Sequence, residues 1–303
     1  MNSDNTKEIG FIGLGRMGFN MSTHLVEKGF RVIGVDPNTE IKASALDAGI
    51  EVANDYQDMI NKLPVTKVIW LMVPSALVDM VLVELIPLLN AGDTVIDGGN
   101  SFYQNSLRRH KLLNEKKINF LDVGVSGGVV GARYGASLMI GGNTELFKKY
   151  EYLFAALAAE NGYARVGNEG AGHFVKMVHN GIEYGMMGAV AEGMNVLHEH
   201  EGELGIDIRE VFKPYEHESI ITSKLVSWLR KAYEDGQIET LKGEVPTGET
   251  EAEMEFITTI SDVKVLEAAL AQRRATRVEE SYIGKLLSAM RYQFGGHKTI
   301  AKK

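Results

Sequence analysis

Short apolar runs alternate with amphipathic stretches through the first half of the chain, and the alternation stops near residue 171. The runs at 8–12, 31–35, 67–73, 94–97, 119–125, 137–142 and 162–170 read as strands, while 17–28, 75–89, 106–117 and 145–159 carry the helical period. Strands alternating with helices predict a parallel sheet covered on both faces. Beyond 171 the pattern is helical: 174–197 is rich in Met and small residues, apolar on most sides and expected to be buried. Further helices are read at 211–233, 263–277 and 282–292, with a charged, Gly- and Pro-punctuated loop at 235–255. The predicted fold is an α/β Rossmann-type N-terminal domain, 1–170, followed by an all-α C-terminal domain, 171–303.

One stripe of the 174–197 segment is chemically mixed. Lys176, His179, Asn180, Glu183 and Tyr184 fall at i, i+3, i+4, i+7 and i+8, between Phe174, Val175, Met177, Val178 and Ile182, which read as packed faces. Lys176 and Glu183 stand about 10 Å apart along the axis at ~1.5 Å per residue. A base and an acid so spaced reach different carbons of one small substrate. The plainer alternative is a buried polar seam between helices, and the other motifs decide between the two.

The first strand runs into Gly13-Leu14-Gly15-Arg16-Met17-Gly18 and a helix, and the second ends at Asp36. In that strand–loop–helix–strand context Gly13 permits the tight turn, Gly15 lets a pyrophosphate approach the backbone, and Gly18 allows close helix–strand packing. Unpaired N–H groups of the helix start would face the phosphates. Asp36 can accept from both ribose hydroxyls and would repel a 2′-phosphate, and Asp36-Pro37-Asn38-Thr39 offers no arginine to neutralise one. The expected cofactor is therefore NAD in preference to NADP. Two more backbone-rich loops, Asp97-Gly98-Gly99-Asn100-Ser101 and Ser126-Gly127-Gly128, follow strands at the edge where open α/β sheets bind ligands.

At 303 residues the chain is long enough for two cores, and its 45% hydrophobic and 24% charged content is that of a soluble globular protein. A net charge of −8 argues against general nucleic-acid binding, and no apolar run suits a membrane span. The absence of cysteine removes disulfides and thiolate chemistry. Residues 1–7 are polar and do not read as a signal peptide, so a cytoplasmic location is expected. Glu199-His200-Glu201-Gly202-Glu203 reads as a solvated acidic loop without metal-site spacing, and no metal is expected. From residue 271 onward, Arg273, Arg274, Arg277, Lys285, Arg291, Lys298, Lys302 and Lys303 face only Glu279 and Glu280, a local excess that suggests an anion site.

Taken together, GFIGLGRMG at 10–18, DGGNS at 97–101, SGG at 126–128, GHFVKMVHNGIEY at 172–184 and FGGH at 294–297 make the chain resemble a short-form, decarboxylating 6-phosphogluconate dehydrogenase over nearly its whole length. The glycine loops alone indicate only the wider β-hydroxyacid dehydrogenase superfamily. The resemblance implies that Lys176 is the general base for the C3 hydroxyl as hydride leaves C3, that Lys176 then protonates the enol oxygen after loss of carboxylate, and that Glu183 protonates C1. The product would be ribulose 5-phosphate. A β-keto acid needs only a proton donor at its carbonyl to decarboxylate, and a buried lysine with a lowered pKa can shuttle that proton. By the same resemblance His179, Asn180, Asn100 and Ser126, Gly127 and Gly128 hold substrate hydroxyls and carboxylate. Tyr184 and Arg273 lie at the phosphate, Arg291 and His297 belong to a tail that in relatives enters a neighbouring subunit's site, and Met72, Val73, Pro74 and Asn100 touch the cofactor. The helical domain then serves substrate binding and dimerisation, and a homodimer or homotetramer acting on a small phosphorylated sugar acid is expected.

The chain departs from the family where a glycine is usually followed by G-K-W-T. Here it reads Pro246-Thr247-Gly248-Glu249-Thr250-Glu251, with Glu249 in place of an expected lysine. Either the loop is shifted, or phosphate affinity rests on the arginines, or the substrate differs. Two other readings stand beside the decarboxylase: an NAD-dependent, non-decarboxylating β-hydroxyacid dehydrogenase of the 3-hydroxyisobutyrate type, and a nucleotide-binding protein without catalysis.

Overall fold

Eight strands form one sheet in the order β3-β2-β1-β4-β5-β6-β7-β8. They are β1 (Glu8–Ile12), β2 (Arg31–Val35), β3 (Glu51–Val52), β4 (Val68–Leu71), β5 (Thr94–Asp97), β6 (Asn119–Ser126), β7 (Ala136–Gly141) and β8 (Ala158–Gly167). The computed structural model of the chain describes residues 7–248, 250–296 and 299–301. It divides into two compact units, Met1–Lys176 and Met177–Lys303. Within the first unit all neighbouring strands run parallel except β6 and β7. Strand β1 pairs with β2 on one side and β4 on the other, which makes the carboxyl end of β1 the point where strand order reverses.

The helices of this unit are α1 (Arg16–Glu27), α2 (Thr39–Asp47), α3 (Tyr56–Lys62), α4 (Val78–Leu85), α5 (Tyr103–Glu115), α6 (Gly128–Tyr134) and α7 (Thr144–Leu157). The sequence pattern did not single out α2, α3 or α6. The first two are started by side chains: Asn38 accepts from Glu40 and Ile41 N–H, and Asp55 from Asp58 N–H. Strand β4, Val68-Ile69-Trp70-Leu71, is apolar and buried throughout because both faces are covered. On one face Phe11 stacks on Trp70 at 5.9 Å, with Phe154 edge-on to Trp70 at 6.4 Å. On the other, Ile12, Ile33, Leu71, Leu82, Val95 and Phe120 pack together.

Helix α8 (Ala171–Glu199) is one continuous helix. In the second unit it is followed by α9 (Glu201–Leu204), α10 (Ile208–Glu216), α11 (Lys224–Glu234), α12 (Gln237–Thr240), α13 (Glu251–Ile260), α14 (Lys264–Ala275) and α15 (Tyr282–Gly295). Their core gathers Met187, Met194, Phe212, Leu229, Leu286 and Met290. Four expectations are corrected. The helix read at 211–233 is two, because Pro214 lacks an N–H near the end of α10 and the Ser223 hydroxyl starts α11 by accepting from Val226 N–H. The loop read at 235–255 contains α12 and the start of α13, and the acidic loop at 199–203 is occupied by the end of α8 and the start of α9. Helix α8 is not buried all round: Ile182 is 55% exposed and Met186 44%, whereas Met187 is fully buried. Among the described residues no helix is long and apolar enough to cross a membrane.

Candidate active site

The glycine loop is shaped by its neighbours. Gly13 has φ +92°, and a Cβ there would meet the Met72 carbonyl at 2.6 Å and Val73 at 2.8 Å, so the residues after β4 back the loop. At Gly18 a Cβ would collide with the Gly13 carbonyl, whereas at Gly15 it would meet nothing within 4 Å. Two glycines therefore close the turn and the third leaves its backbone open. Gly15 is also the N-cap of α1, and no side chain caps that end. Open backbone beside an uncapped helix start fits the pyrophosphate of a dinucleotide.

Asp36 is engaged on both oxygens. One accepts from Leu14 N–H at 2.8 Å and the other from Asn38 N–H at 2.9 Å, and the residue is 8% exposed. The carboxylate thus locks the glycine loop to the end of β2. Each oxygen keeps a second lone pair, so ribose hydroxyls can still be accepted.

Two further buried carboxylates, unread in the sequence, organise the neighbouring strand ends. Asp97 accepts from Gly99 N–H at 3.2 Å, the Ser101 hydroxyl at 2.8 Å and Arg109 at 3.1 Å. Arg109 is 1% exposed and reaches Asp79 with its Nε at 2.8 Å. This network fixes the loop that carries Asn100. On β6, Asp122 accepts from Gly170 N–H at 2.7 Å and His173 N–H at 2.9 Å, taking up donors at the start of α8. Burial pushes its carboxyl above the ordinary range, opposed by His173 and the two N–H donors. A Cβ on Gly124 would run into the Lys176 side chain, and one on Gly172 into the Asp122 and Met139 carbonyls. The first turn of α8 is therefore seated directly on the sheet, which sets the height of Lys176. At the end of β6, Gly127 and Gly128 both take positive φ, +119° and +62°, turning the chain from Ser126 into α6.

Lys176 is half-buried rather than buried. Further along α8, the His179 Nδ1 is 3.4 Å from the Asn180 Oδ1 and 3.9 Å from a Glu183 oxygen, and Asn180 is 5% exposed. Because the helix is unbroken, all five polar positions share one stripe as expected. Ile182 is the exception among the expected packing residues.

Within the second unit, Tyr184, Arg273 and Arg291 come together. The Arg273 guanidinium lies 3.3 Å from the Tyr184 ring centre, one NH2 points at the Met187 sulfur at 3.3 Å, and its buried Nε has no hydrogen-bond partner among the described residues. Burial pulls its pKa down to about 10. Arg291 donates to the Pro246 carbonyl at 2.9 Å, and burial lowers its pKa as well. The Tyr184 hydroxyl meets that of Thr250 at 2.6 Å. The cluster also holds an ion pair that sequence reading missed: Arg277 grips both oxygens of Glu251 at 2.8 Å, and the Arg274 Nε adds 3.0 Å. These arginines hold Glu251 down to a pKa of about 2. Glu249 and His297 lie outside the described residues.

The comparisons with known proteins agree with this layout. Residues 8–170 match the NAD-binding domain of 6-phosphogluconate dehydrogenase, and 172–235 match that enzyme's C-terminal domain. The chain is 37% identical over 298 residues to YqeC of Bacillus subtilis, whose own assignment as a 6-phosphogluconate dehydrogenase is provisional; the match covers 97% of this chain and all of that one. It is 35% identical over 302 residues to the NAD-dependent, decarboxylating 6-phosphogluconate dehydrogenase of Haloferax volcanii, covering 97% of this chain and 99% of that protein. Among solved structures, the Plasmodium falciparum 6-phosphogluconate dehydrogenase, determined without ligand, with NADP+ and with 6-phosphogluconate, superimposes with a TM-score of 0.81 at 29% identity, over 90% of this chain and 62% of that one. With a dinucleotide-binding Rossmann-type unit and a helical unit matched to the same enzyme, the chain belongs to the 6-phosphogluconate dehydrogenase family of oxidoreductases.

Proposed function

We propose that this protein oxidises and decarboxylates 6-phosphogluconate to ribulose 5-phosphate and CO2, with NAD preferred over NADP. The observation that carries this reading is α8: a half-buried lysine on a turn anchored by Asp122, followed two turns later on the same helix by Glu183. When bound, the dinucleotide supplies a two-electron hydride acceptor. Gly13, Leu14, Gly15, Arg16, Met17 and Gly18 would hold its pyrophosphate, Asp36 its ribose, and Met72, Val73, Pro74 and Asn100 would line its remaining length.

In this proposal neutral Lys176 takes the proton of the C3 hydroxyl. As lysinium it then returns a proton to the oxygen that becomes the enol when the C1 carboxylate departs as CO2. Glu183 gives a proton to the carbon that carried the carboxylate, C1 of the product, while Lys176 takes back the enol proton, and the neighbouring His179 steadies the Glu183 carboxyl. Ser126, Gly127, Gly128, Asn100 and Asn180 would bind hydroxyls and carboxylate, and Tyr184, Arg273, Arg291 and His297 the phosphate. Unspent donors on Arg273 support the phosphate assignment. A homo-oligomer, dimer or tetramer, is supported by a stripe at i, i+4, i+7, i+11 and i+14 of α8, where Ile182, Met186, Ala189, Gly193 and Val196 are all exposed.

The test is nicotinamide reduction followed by absorbance with 6-phosphogluconate, run separately with NAD and NADP, while CO2 is trapped. Reduction of NAD with one CO2 per turnover is expected. Reduction without CO2 would replace the proposal with a non-decarboxylating hydroxyacid dehydrogenase.

A further inference from the structure

Unit 2 contains four arginines around one loop, yet they are used unequally. Arg274 and Arg277 are bound to Glu251, and Arg277 also donates to the Thr247 hydroxyl at 2.8 Å. Among the described residues no carboxylate lies within ion-pair distance of Arg273 or Arg291, although both are buried, 4% and 7% exposed. A buried cation without a counter-ion is costly unless an anion arrives. A carboxylate gripped on both oxygens by one guanidinium presents that guanidinium's fork as already filled. Glu251 itself is 13% exposed on its side chain and remains ionised at any pH near neutrality.

We propose that Glu251 is a specificity-determining residue: a resident anion that withholds Arg277 from the substrate's phosphate, leaving the receptor to Arg273 and Arg291. The loop geometry places the two functions side by side. Gly248 approaches so closely that a Cβ there would sit 3.1 Å from Arg291, and Thr250 bonds Tyr184, whose ring covers Arg273. Pro246, Thr247, Gly248, Thr250 and Glu251 therefore lie against both the filled and the unfilled guanidiniums. The consequence is an anion receptor of lower charge than four arginines would give, tuned to weaker retention of a phosphate monoester.

This inference rests on the phosphate assignment above, so the test uses inorganic phosphate as well as 6-phosphogluconate and gluconate. Binding is measured by calorimetry on the full-length protein, wild type against E251Q, with E251S in parallel and helix content checked by circular dichroism. Release of Arg277 should tighten both phosphate compounds roughly fivefold or more, the scale of one added charge-assisted hydrogen bond, and leave gluconate unchanged. The double variant E251Q/R277Q should lose that gain. Unchanged or weaker phosphate binding in the folded variants would overturn the inference. So would an equal gain in the double variant, because Arg277 would then not be its source. Wild-type binding of inorganic phosphate without binding of 6-phosphogluconate would remove the proposed substrate while leaving the Glu251 comparison to be read on phosphate alone.

Discussion

In the first unit the buried carboxylates are surrounded by donors of their own chain: Leu14 and Asn38 N–H for Asp36, Gly99, Ser101 and Arg109 for Asp97, Gly170 and His173 N–H for Asp122. Among the described residues of the second unit the two most deeply buried charges are the Arg273 and Arg291 guanidiniums, and Arg273 faces an aromatic ring and a thioether with one Nε–H that no described residue matches. Both arrangements stabilise charge away from water, but they differ in what is left over. A carboxylate that accepts from its own backbone is committed to holding loops in place, and it lends its rigidity to the side chains nearby. A guanidinium with donors unmatched is a receptor, because the ordinary cost of an unmet buried donor, about 1–3 kcal/mol, is relieved only by a ligand. Architecture and recognition can thus be told apart by counting satisfied hydrogen bonds.

The strongest way to probe the first arrangement is at the group it supports. Lys176→Ala should leave dinucleotide binding within a few-fold and reduce turnover by roughly 10³-fold or more, at the upper end of the proton-transfer contribution. Retained turnover in steady-state assays would show that anchoring α8 serves something other than a proton shuttle. Next in size is the anchor itself. Asp122→Asn keeps the volume but turns an NH2 toward one of two backbone donors, so a loss of about 2–3 kcal/mol is expected in urea unfolding. A loss below about 0.5 kcal/mol would mean the seat of α8 is made by Gly124 and Gly172 packing alone.

The second arrangement is exposed by acid. Glu251 has its pKa depressed from 4.5 to about 2 on folding. Its stabilisation is present above the unfolded value and is lost as pH falls from about 4.5 toward 2. The linkage is worth at most roughly 3 kcal/mol. Unfolding free energies measured at stepped pH should therefore show wild type and E251Q converging across that window. Parallel curves would place the arginine–Glu251 grip among the ion pairs that contribute nothing measurable.

Much of the first unit was legible because its signals are local. Gly13 and Gly18 close the turn as their spacing required, and the stripe from Lys176 to Tyr184 needed only helical periodicity. What could not be read are partners far apart in the chain. Asp122 meets Gly170 across 48 residues, and Glu251 meets Arg277 across 26, with nothing in either neighbourhood to announce the pairing. The helical break within 211–233 was missed for a different reason: Ile220 and Ile221 lend 217–223 an apolar look, and the interruption is marked by Pro214 and the Ser223 cap. The departure at Glu249 lies outside the described residues; among those described, the carboxylate that pairs with both Arg274 and Arg277 is Glu251, two positions further on.

Asp36 refines the contrast between committed and receptive charge, because it would be both. Its two backbone bonds hold the glycine loop, yet its spare lone pairs point to the ribose assignment in the proposed NAD preference. Asp36→Asn separates the two duties. The amide oxygen can still accept from Leu14 or Asn38 but carries no charge to repel a 2′-phosphate. If charge sets the preference, the ratio of kcat/KM for NAD to that for NADP should fall by about tenfold, near 1.4 kcal/mol, while thermal stability drops by only a few degrees. If instead both cofactors weaken equally and the protein loses stability, Asp36 belongs wholly with Asp97 and Asp122 as a loop-holding carboxylate, and the selectivity must come from elsewhere on the loop after β2.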